Sequence, residues 1–547
     1  MHIYLSRVLK IFLPLFFLVY YFKKIIEILY NYLKHLFKGL RILCADALRI
    51  TRETSFLKDR LFMSIEEQKA SHPFSREFQT IFLIITSGQS VRTFLISDVL
   101  SLLTMQYNLV IISPYASNEE FVRTYSGKNI HVLPWIDNTD LLLEKIATYY
   151  HMLKSPSDTH KSILENIRQS NGKQFYLYSF AKFLDIFINR DFLDFACKLF
   201  IWTLIPHRLF RRLFKEYSPA LVISTVAHHS SSWPLTYYAR HHGCKVLANI
   251  ISWDNISTKG LLDTSAQHYT LWSEEMAEEL EMYFPCIKSK RHVVGSPQFD
   301  LYYKDELLLK REDFLSSLGL NPSLPYILYT TNTPVAMPDE HLIVRRYWKE
   351  INRSGLSKNV SLIIRLHPKD KIERYSEMQG MENFAITLAG TPKWNGVDCW
   401  IPDREDMIRL ANSMRYAAVS VNVASTMSLE SFCVKLPTIN VAFKSGDMRW
   451  NKSLWSFEMY HTSVHYRALV ENGAVAIARS MEELINYTLE SLNKRTLRQD
   501  EMKRALRLKV AYHEGNSAER FFEVVSDIID SKPVRKDGAF YRAKHSS

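Results

Sequence analysis

Four short segments place acid–base and anion-binding residue types at the ends of apolar runs. ISWDNISTKG (251–260) offers Asp254, a carboxylate able to take a proton from a hydroxyl, and Lys259, a cation able to face a phosphate. The same Asp-Asn pair also suits a turn or a helix cap. IIRLHPKD (363–370) ends an apolar run at His367, before Pro368. A histidine there can donate to a phosphate oxygen, with Arg365 or Lys369 adding charge; a histidine in a surface loop is the plainer alternative. VSVNVASTMSLESF (419–432) carries an apolar run into Ser425-Thr426, where helical spacing begins. Backbone N–H groups at a helix start, joined by two hydroxyls, make a phosphate cradle. Glu430, one turn on, can accept from ribose hydroxyls. A Ser/Thr cap with a following Glu gives the same pattern. The fourth segment, VVGSPQFD (293–300), has Gly295 and Pro297 for a tight turn and Asp300 to cap the next element, and reads as a hinge.

Other chemistries are excluded by what is absent. The 547 residues contain no G-x-G-x-x-G, no G-x-x-x-x-G-K-[ST] and no G-x-S-x-G. Cys44, Cys197, Cys244, Cys286, Cys399 and Cys433 never approach within four residues of one another, which removes C-x-x-C metal and redox motifs. Scattered thiols fit a reduced compartment. His228-His229 and His241-His242 lack a neighbouring carboxylate cluster, so no metal site and no cofactor are expected.

The net charge of +12 is uneven. Residues 1–60 carry eleven Lys/Arg and four Asp/Glu, residues 532–547 carry five Lys/Arg and one Asp, and the rest is close to neutral. A nucleic-acid-binding stripe across the body is therefore not expected. IFLPLFFLVYYF (11–22) lies between Arg7 and Lys10 on one side and Lys23 and Lys24 on the other. Such a stretch makes about 18 Å of helix, short of a ~30 Å hydrocarbon core. With the basic, aromatic residues after it, it reads as a membrane-surface anchor, with a spanning anchor or a buried helix as alternatives. No small-x-small cleavage pattern comes next, so a cleaved leader is not expected. Cytoplasmic anionic lipids would favour the flanking cations, placing the protein at the cytoplasmic face of a membrane.

These residues must be positioned by the elements around them. At 47% hydrophobic and 23% charged, the composition is that of a globular protein. Strands are predicted at 79–86, 108–114, 129–135, 220–226, 244–251, 267–273 and 291–297, then at 326–332, 360–368, 383–389, 416–422 and 437–443, with helical spacing between them. Such alternation predicts an α/β chain with two doubly wound parallel sheets, Rossmann-like in each half. The expected divisions are an N-terminal membrane-associated segment (1–60), a first block (77–310) with a helical insertion near 140–217, a second block (322–530) and a basic tail (531–547). Polar residues just after the strands then become the functional candidates.

Taken together, the segments resemble the GT-B superfamily of nucleotide-sugar transferases, closest to its CDP-glycerol glycerophosphotransferase and capsule-transferase branch. That branch shows W-H-G-T-x-x-K, G-x-P-x-x-D, R-x-H-P and a Ser pair at a helix start. Here the matches are Trp253 through Lys259, Gly295 through Asp300, Arg365 through Pro368, and Ser425-Thr426. HEGNSAER (513–520) resembles that group's segment before the last helix, and TSGQSVR (86–92) matches as a loop. The family's histidine after Trp is Asp254 here, and Asn422-Val423-Ala424 replaces its acidic-aromatic lead-in.

The resemblance implies a membrane-associated, metal-independent glycosyltransferase, in line with the absence of D-x-D. The first block would hold a lipid-linked or surface-glycan acceptor and the second a nucleotide-activated sugar donor, with the last helix crossing back. Asp254 and His367 would be catalytic; Ser425, Thr426, Glu430, Lys259 and Arg365 would bind the donor. Alternatives are a CDP-polyol phosphotransferase, a nucleotide-sugar epimerase and a non-catalytic scaffold.

Overall fold

The structure, a computed structural model, describes residues 64–135, 142–169, 173–189, 198–199, 201–202, 205–390, 400–444 and 461–531. The expected membrane segment at 1–60 and nearly all of the basic tail lie outside them. Among the described residues, no helix is long and apolar enough to cross a membrane.

Two parallel sheets carry the chain. The first comprises β1 (Gln79–Ile84), β2 (Tyr107–Ser113), β3 (Ile130–Pro134), β4 (Leu221–Ser224), β5 (Lys245–Asn249), β6 (His268–Leu271) and β7 (Lys290–Val293), in the order β3-β2-β1-β4-β5-β6-β7. The second comprises β8 (Tyr326–Thr330), β9 (Ser361–Arg365), β10 (Phe384–Thr387), β11 (Val419–Asn422), β12 (Thr438–Val441) and β13 (Ala476–Ala478), in the order β10-β9-β8-β11-β12-β13. Both are Rossmann-like. Strands covered by helices on both faces read as continuous apolar runs, which is why β1, β2, β8 and β9 are plain in the sequence and buried in the fold. β13 was not expected. It is a three-residue edge strand, Ala-Ile-Ala, recognisable only by its pairing Ile439↔Ala476 through Val441↔Ala478.

Between β3 and β4 the described residues form helices and no strand. Leu142–Lys154, Asp158–Arg168 and Lys173–Phe187 enclose a small core of their own around Ile146, Tyr150, Leu164 and Ala181. His207–Tyr217 instead lays Leu209, Phe210 and Leu213 on the first sheet.

The last helix, Ser517–Asp530, comes after the second sheet in sequence but packs on the first. Its Phe521, Val525 and Ile528 join Ile81, Leu83 and Ile111, and Phe521 meets Phe94 edge-on at 5.3 Å. Residues 517–530, expected in the second block, thus belong by packing to the first. The hinge segment receives this crossing. Asp300 accepts from the backbone N–H groups of Ser517 (3.2 Å) and Ala518 (2.8 Å), so it caps the last helix rather than the turn next to it in sequence. Gly295, at φ +81°, passes so close that an added Cβ would stand 2.5 Å from the Ala511 carbonyl oxygen. The G-x-P-x-x-D and HEGNSAER segments therefore interlock.

Candidate active site

Strand order reverses between β1 and β4 in the first sheet and between β8 and β11 in the second. Ligands of open parallel sheets bind outside the carboxyl ends of strands at such points. The loops leaving β1, β8, β9, β10 and β11 wall an open cleft with a cavity volume of about 210 Å³, lined among others by Gln89, Arg92, Thr331, His367, Trp400, Thr426 and Glu430. The β1 loop fits against Trp400 only because residue 88 is glycine: an added Cβ would lie 2.4 Å from the indole and 2.5 Å from the Trp400 carbonyl.

Glu430 projects from the Thr426–Cys433 helix and is almost fully buried. Arg92, also buried, grips it with both arms, at 3.0 Å to Oε1 and 2.7 Å to Oε2. Tyr302 donates its hydroxyl to the same Oε2. Loss of water works against the Arg92 charge, but Glu430 and Tyr302 more than offset it, leaving the guanidinium firmly protonated. The carboxylate expected to hold ribose hydroxyls is thus the centre of a buried junction between the two sheets.

Arg365 is likewise committed. One of its terminal nitrogens donates to both oxygens of Asp406, at 2.8 and 2.9 Å, in a buried pair. His367 is held by its backbone, whose N–H donates to Thr331 Oγ1 at 2.8 Å. The backbone N–H of Lys369 donates to His367 Nδ1 at 3.1 Å, which puts the proton of the neutral ring on Nε2.

Ser425 stands at the cap position of the Thr426–Cys433 helix, yet its side chain makes no capping hydrogen bond to that helix. A buried polar network fixes the turn instead: Ser428 and Asn440 donate to Asn422 Oδ1 at 3.2 and 2.9 Å, and Tyr466 donates to Asn440 Oδ1 at 2.7 Å. The Ser428 N–H donates to the Ser425 carbonyl oxygen at 3.0 Å, the Ser425 side chain caps none of the first N–H groups, and Thr426 lines the cleft. Thr426 Oγ1 accepts from the Trp253 indole N–H at 3.2 Å, joining this helix start to the Asp254 loop.

Asp254 and Lys259 lie beyond that joint, outside the residues lining the cleft. Asp254 Oδ1 accepts from Ser252 at 2.5 Å, and Oδ2 from Thr258 at 3.0 Å. Loss of water would raise this carboxyl, but Lys259, His465 and the two hydroxyls outweigh it and hold it below the ordinary aspartate value. His465 stacks edge-on to Trp253 at 5.1 Å, with Nδ1 3.3 Å from Ser257 Oγ. Loss of water lowers its pKa to about 4 despite Asp254, so the imidazole is neutral at pH 7. The structure thus brings Thr426, Glu430, His367 and Arg365 to one cleft, with Ser425 at its edge, and sets Asp254 and Lys259 in an adjoining centre with His465.

No protein-family model and no curated protein matches this chain. Solved structures do. UDP-GlcNAc 2-epimerase from Neisseria meningitidis is 9% identical, with 82% of this chain and 100% of that one covered at a TM-score of 0.48. The corresponding enzyme from Methanocaldococcus jannaschii is 11% identical, covering 82% and 99% at 0.45. A glycosyltransferase from Rickettsia africae is 13% identical, covering 83% and 100% at 0.44.

Sequence reasoning missed Arg92, Tyr302, Asp406, Trp400 and His465 as members of these centres. Arg92 had a signal: it sits in the first helical turns after β1, at a strand-order reversal. Tyr302 and Asp406 had none, because each matters through a partner more than 40 residues away.

Proposed function

We propose that the protein is a metal-independent, nucleotide-sugar-dependent glycosyltransferase of the GT-B type, acting on a lipid-linked or surface-glycan acceptor at the cytoplasmic face of a membrane. The observation that carries this reading is the start of the Thr426–Cys433 helix, left without a side-chain cap beside a cleft of about 210 Å³ between two Rossmann-like sheets. Partial positive charge there suits a diphosphate and stabilises it further as it departs with the nucleotide. His367 Nε2–H would donate to the same phosphates, and Glu430 would meet the ribose once the Arg92 grip loosens. The Asp254–His465 centre, joined to the helix through Trp253, would receive the acceptor hydroxyl, with ionised Asp254 taking its proton. Residues 1–60 would hold the enzyme against the bilayer.

The deciding experiment is thermal unfolding of the full chain with UDP, GDP, CDP and CMP in turn. A ligand that binds only the folded state stabilises it by about 2.7 kcal/mol at a hundred times its Kd. A shift with UDP or GDP supports the reading. A shift confined to CMP or CDP moves it to polyol-phosphate transfer. Consumption of a sugar nucleotide with no acceptor present would turn it to epimerisation, and no shift with any nucleotide overturns it.

A further inference from the structure

The two sides of the Asp254–His465 centre come from different halves of the chain. Asp254 leads into the short Asn255–Thr258 turn after β5, and His465 lies in the first turn of the Val464–Glu471 helix after β12. They meet each other at Ser257 and Trp253. A third element holds both: the start of the Asp158–Arg168 helix, in the insertion between β3 and β4. Ser157 Oγ donates to the Ser257 carbonyl oxygen at 3.4 Å, and Thr159 Oγ1 accepts from the Val464 backbone N–H at 2.9 Å. The Ser463 side chain makes no capping bond to the His465 helix, so Thr159, 305 residues away, fills the capping role there.

The insertion grips the same loop again two residues past the turn. Gly260 passes so close that an added Cβ would stand 2.5 Å from the Thr148 carbonyl oxygen, and Lys259 is exposed between the two grips. In the loop after β4, Ser230 donates to Glu144 of the insertion. The edge of the insertion that faces these loops is polar and buried: Ser155, Ser157, Thr159 and His160 are all shielded from water. Ser155 Oγ lies 2.7 Å from His160 Nδ1, and Ser157 accepts from the His160 N–H at 3.4 Å, which braces the turn internally. Burying a hydroxyl costs free energy unless it finds a partner. For Ser157 and Thr159 those partners include groups outside the insertion, at the two halves of one centre. Asp158, between them, reaches Arg467 only at 3.7 Å on an exposed surface, where such a pair adds little.

We propose that Ser157 and Thr159 are positioning residues for the Asp254–His465 centre: the insertion sets the register between the turn that follows Asp254 and the helix that carries His465. The proposal rests on the reading that this centre receives the acceptor hydroxyl, and it assigns the insertion to the acceptor step rather than to nucleotide binding. Each residue acts through the backbone of its partner and touches no reacting atom. Misplacing a reacting group by about 1 Å can cost about a hundredfold in rate, so two backbone bonds can govern turnover while contributing little to overall stability. The charges that act on His465 are Asp254 and Lys259 from the loop and Lys509 from the end of the Gln499–Lys509 helix. Burial outweighs them, so loosening the helix start readmits water to the ring and raises its affinity for a proton.

The test compares three variants of the full chain. Thr159→Val keeps the side-chain volume and loses the hydroxyl, Thr159→Ser keeps the hydroxyl, and Ser157→Ala removes the bond to Ser257. In Thr159→Val, hydrogen exchange across residues 464–471 should quicken roughly fivefold, the size of one lost hydrogen bond. The His465 ring, followed by NMR of histidine-labelled protein and assigned against His465→Gln, should titrate near 4 in wild type. In Thr159→Val it should move up toward the ordinary value of about 6.5. Thr159→Ser should restore both readouts. Ser157→Ala should move the titration in the same direction, and it decides the matter if Thr159→Val fails to fold. Unchanged exchange and titration in the variants overturn the proposal, as does a Thr159→Ser variant that behaves like Thr159→Val. Nucleotide-induced stabilisation, read on the same samples, should be equal in wild type and variants. Its loss in the variants alone would put the insertion on the donor side and overturn the proposal, whereas its absence in wild type defeats the functional reading and leaves the exchange and titration results standing.

Discussion

Glu430 is asked to do two things, and the conflict is informative. Its oxygens are taken by Arg92 and Tyr302, yet it lies on the wall of the cleft where a ribose would sit. Removing one partner of a buried pair strands the other charge away from water, at a cost of about 3–5 kcal/mol. Arg92→Ala should therefore lower stability by that amount in denaturant unfolding. Arg92→Leu with Glu430→Leu should recover much of it, since no buried charge remains; an equal loss in both would show that the pair is not the source. Asp254 makes a different prediction. It stands ionised among Ser252, Thr258 and Lys259, so Asp254→Asn keeps its shape but removes its basicity. Turnover should fall at least about a hundredfold, the ordinary lower range for a lost general base, with donor binding unchanged. Full turnover in a steady-state assay would remove Asp254 from the mechanism.

At the scale of elements, two helix starts carry opposite assignments. The Thr426–Cys433 helix lacks a side-chain cap from Ser425 and opens beside the cleft, whereas the Ser517–Asp530 helix is capped by Asp300 from the other end of the hinge. A helix start without a side-chain cap suits a bound anion; a capped one is a fastening. Asp300→Ala should cost about 0.5–2 kcal/mol, as other lost caps do, and should raise hydrogen exchange across residues 517–530 without altering nucleotide affinity. Unchanged exchange there would mean that Phe521, Val525 and Ile528 hold the helix unaided. The spacing of GSPQFD announced a turn and a cap, but not which helix was capped. That answer needed residues 217 and 218 positions away.

At the scale of the whole molecule, buried ionisable groups set the pH at which the fold is firmest. Burial raises Glu279 and Glu340 to about 8 and Asp300 to about 6. The folded state then binds protons that the unfolded state has released, so these groups withdraw stability as pH rises from about 4.5 through 8. Burial lowers His160, His268 and His465 to about 4, so the unfolded state binds more protons below its own value near 6.5, and stability falls as pH drops through that window. Among these six groups the two trends nearly cancel between about pH 5 and 6, so the melting temperature should be flat there and fall from about pH 6 upward. Glu340 accepts from Tyr329 at 3.2 Å and from the Asn332 N–H at 2.7 Å. Glu340→Gln should flatten the alkaline fall measured by calorimetry, and an unchanged slope would show that Glu340 is ionised at neutral pH.

The division of labour between sequence and structure comes from distance along the chain. Twelve of the thirteen strands among the described residues were legible, most of them because a strand buried on both faces needs an unbroken apolar run, a property of a few neighbouring residues. The positions of Asp254, His367 and Ser425-Thr426 at strand ends came from the same runs. Which groups meet was decided only in three dimensions. Arg92 and Glu430 are 338 residues apart and Trp253 and Thr426 are 173 apart, and no local pattern encodes such pairings. Charge and burial trade off at the Arg92–Glu430 pair, and that balance exists only once the two sheets have come together.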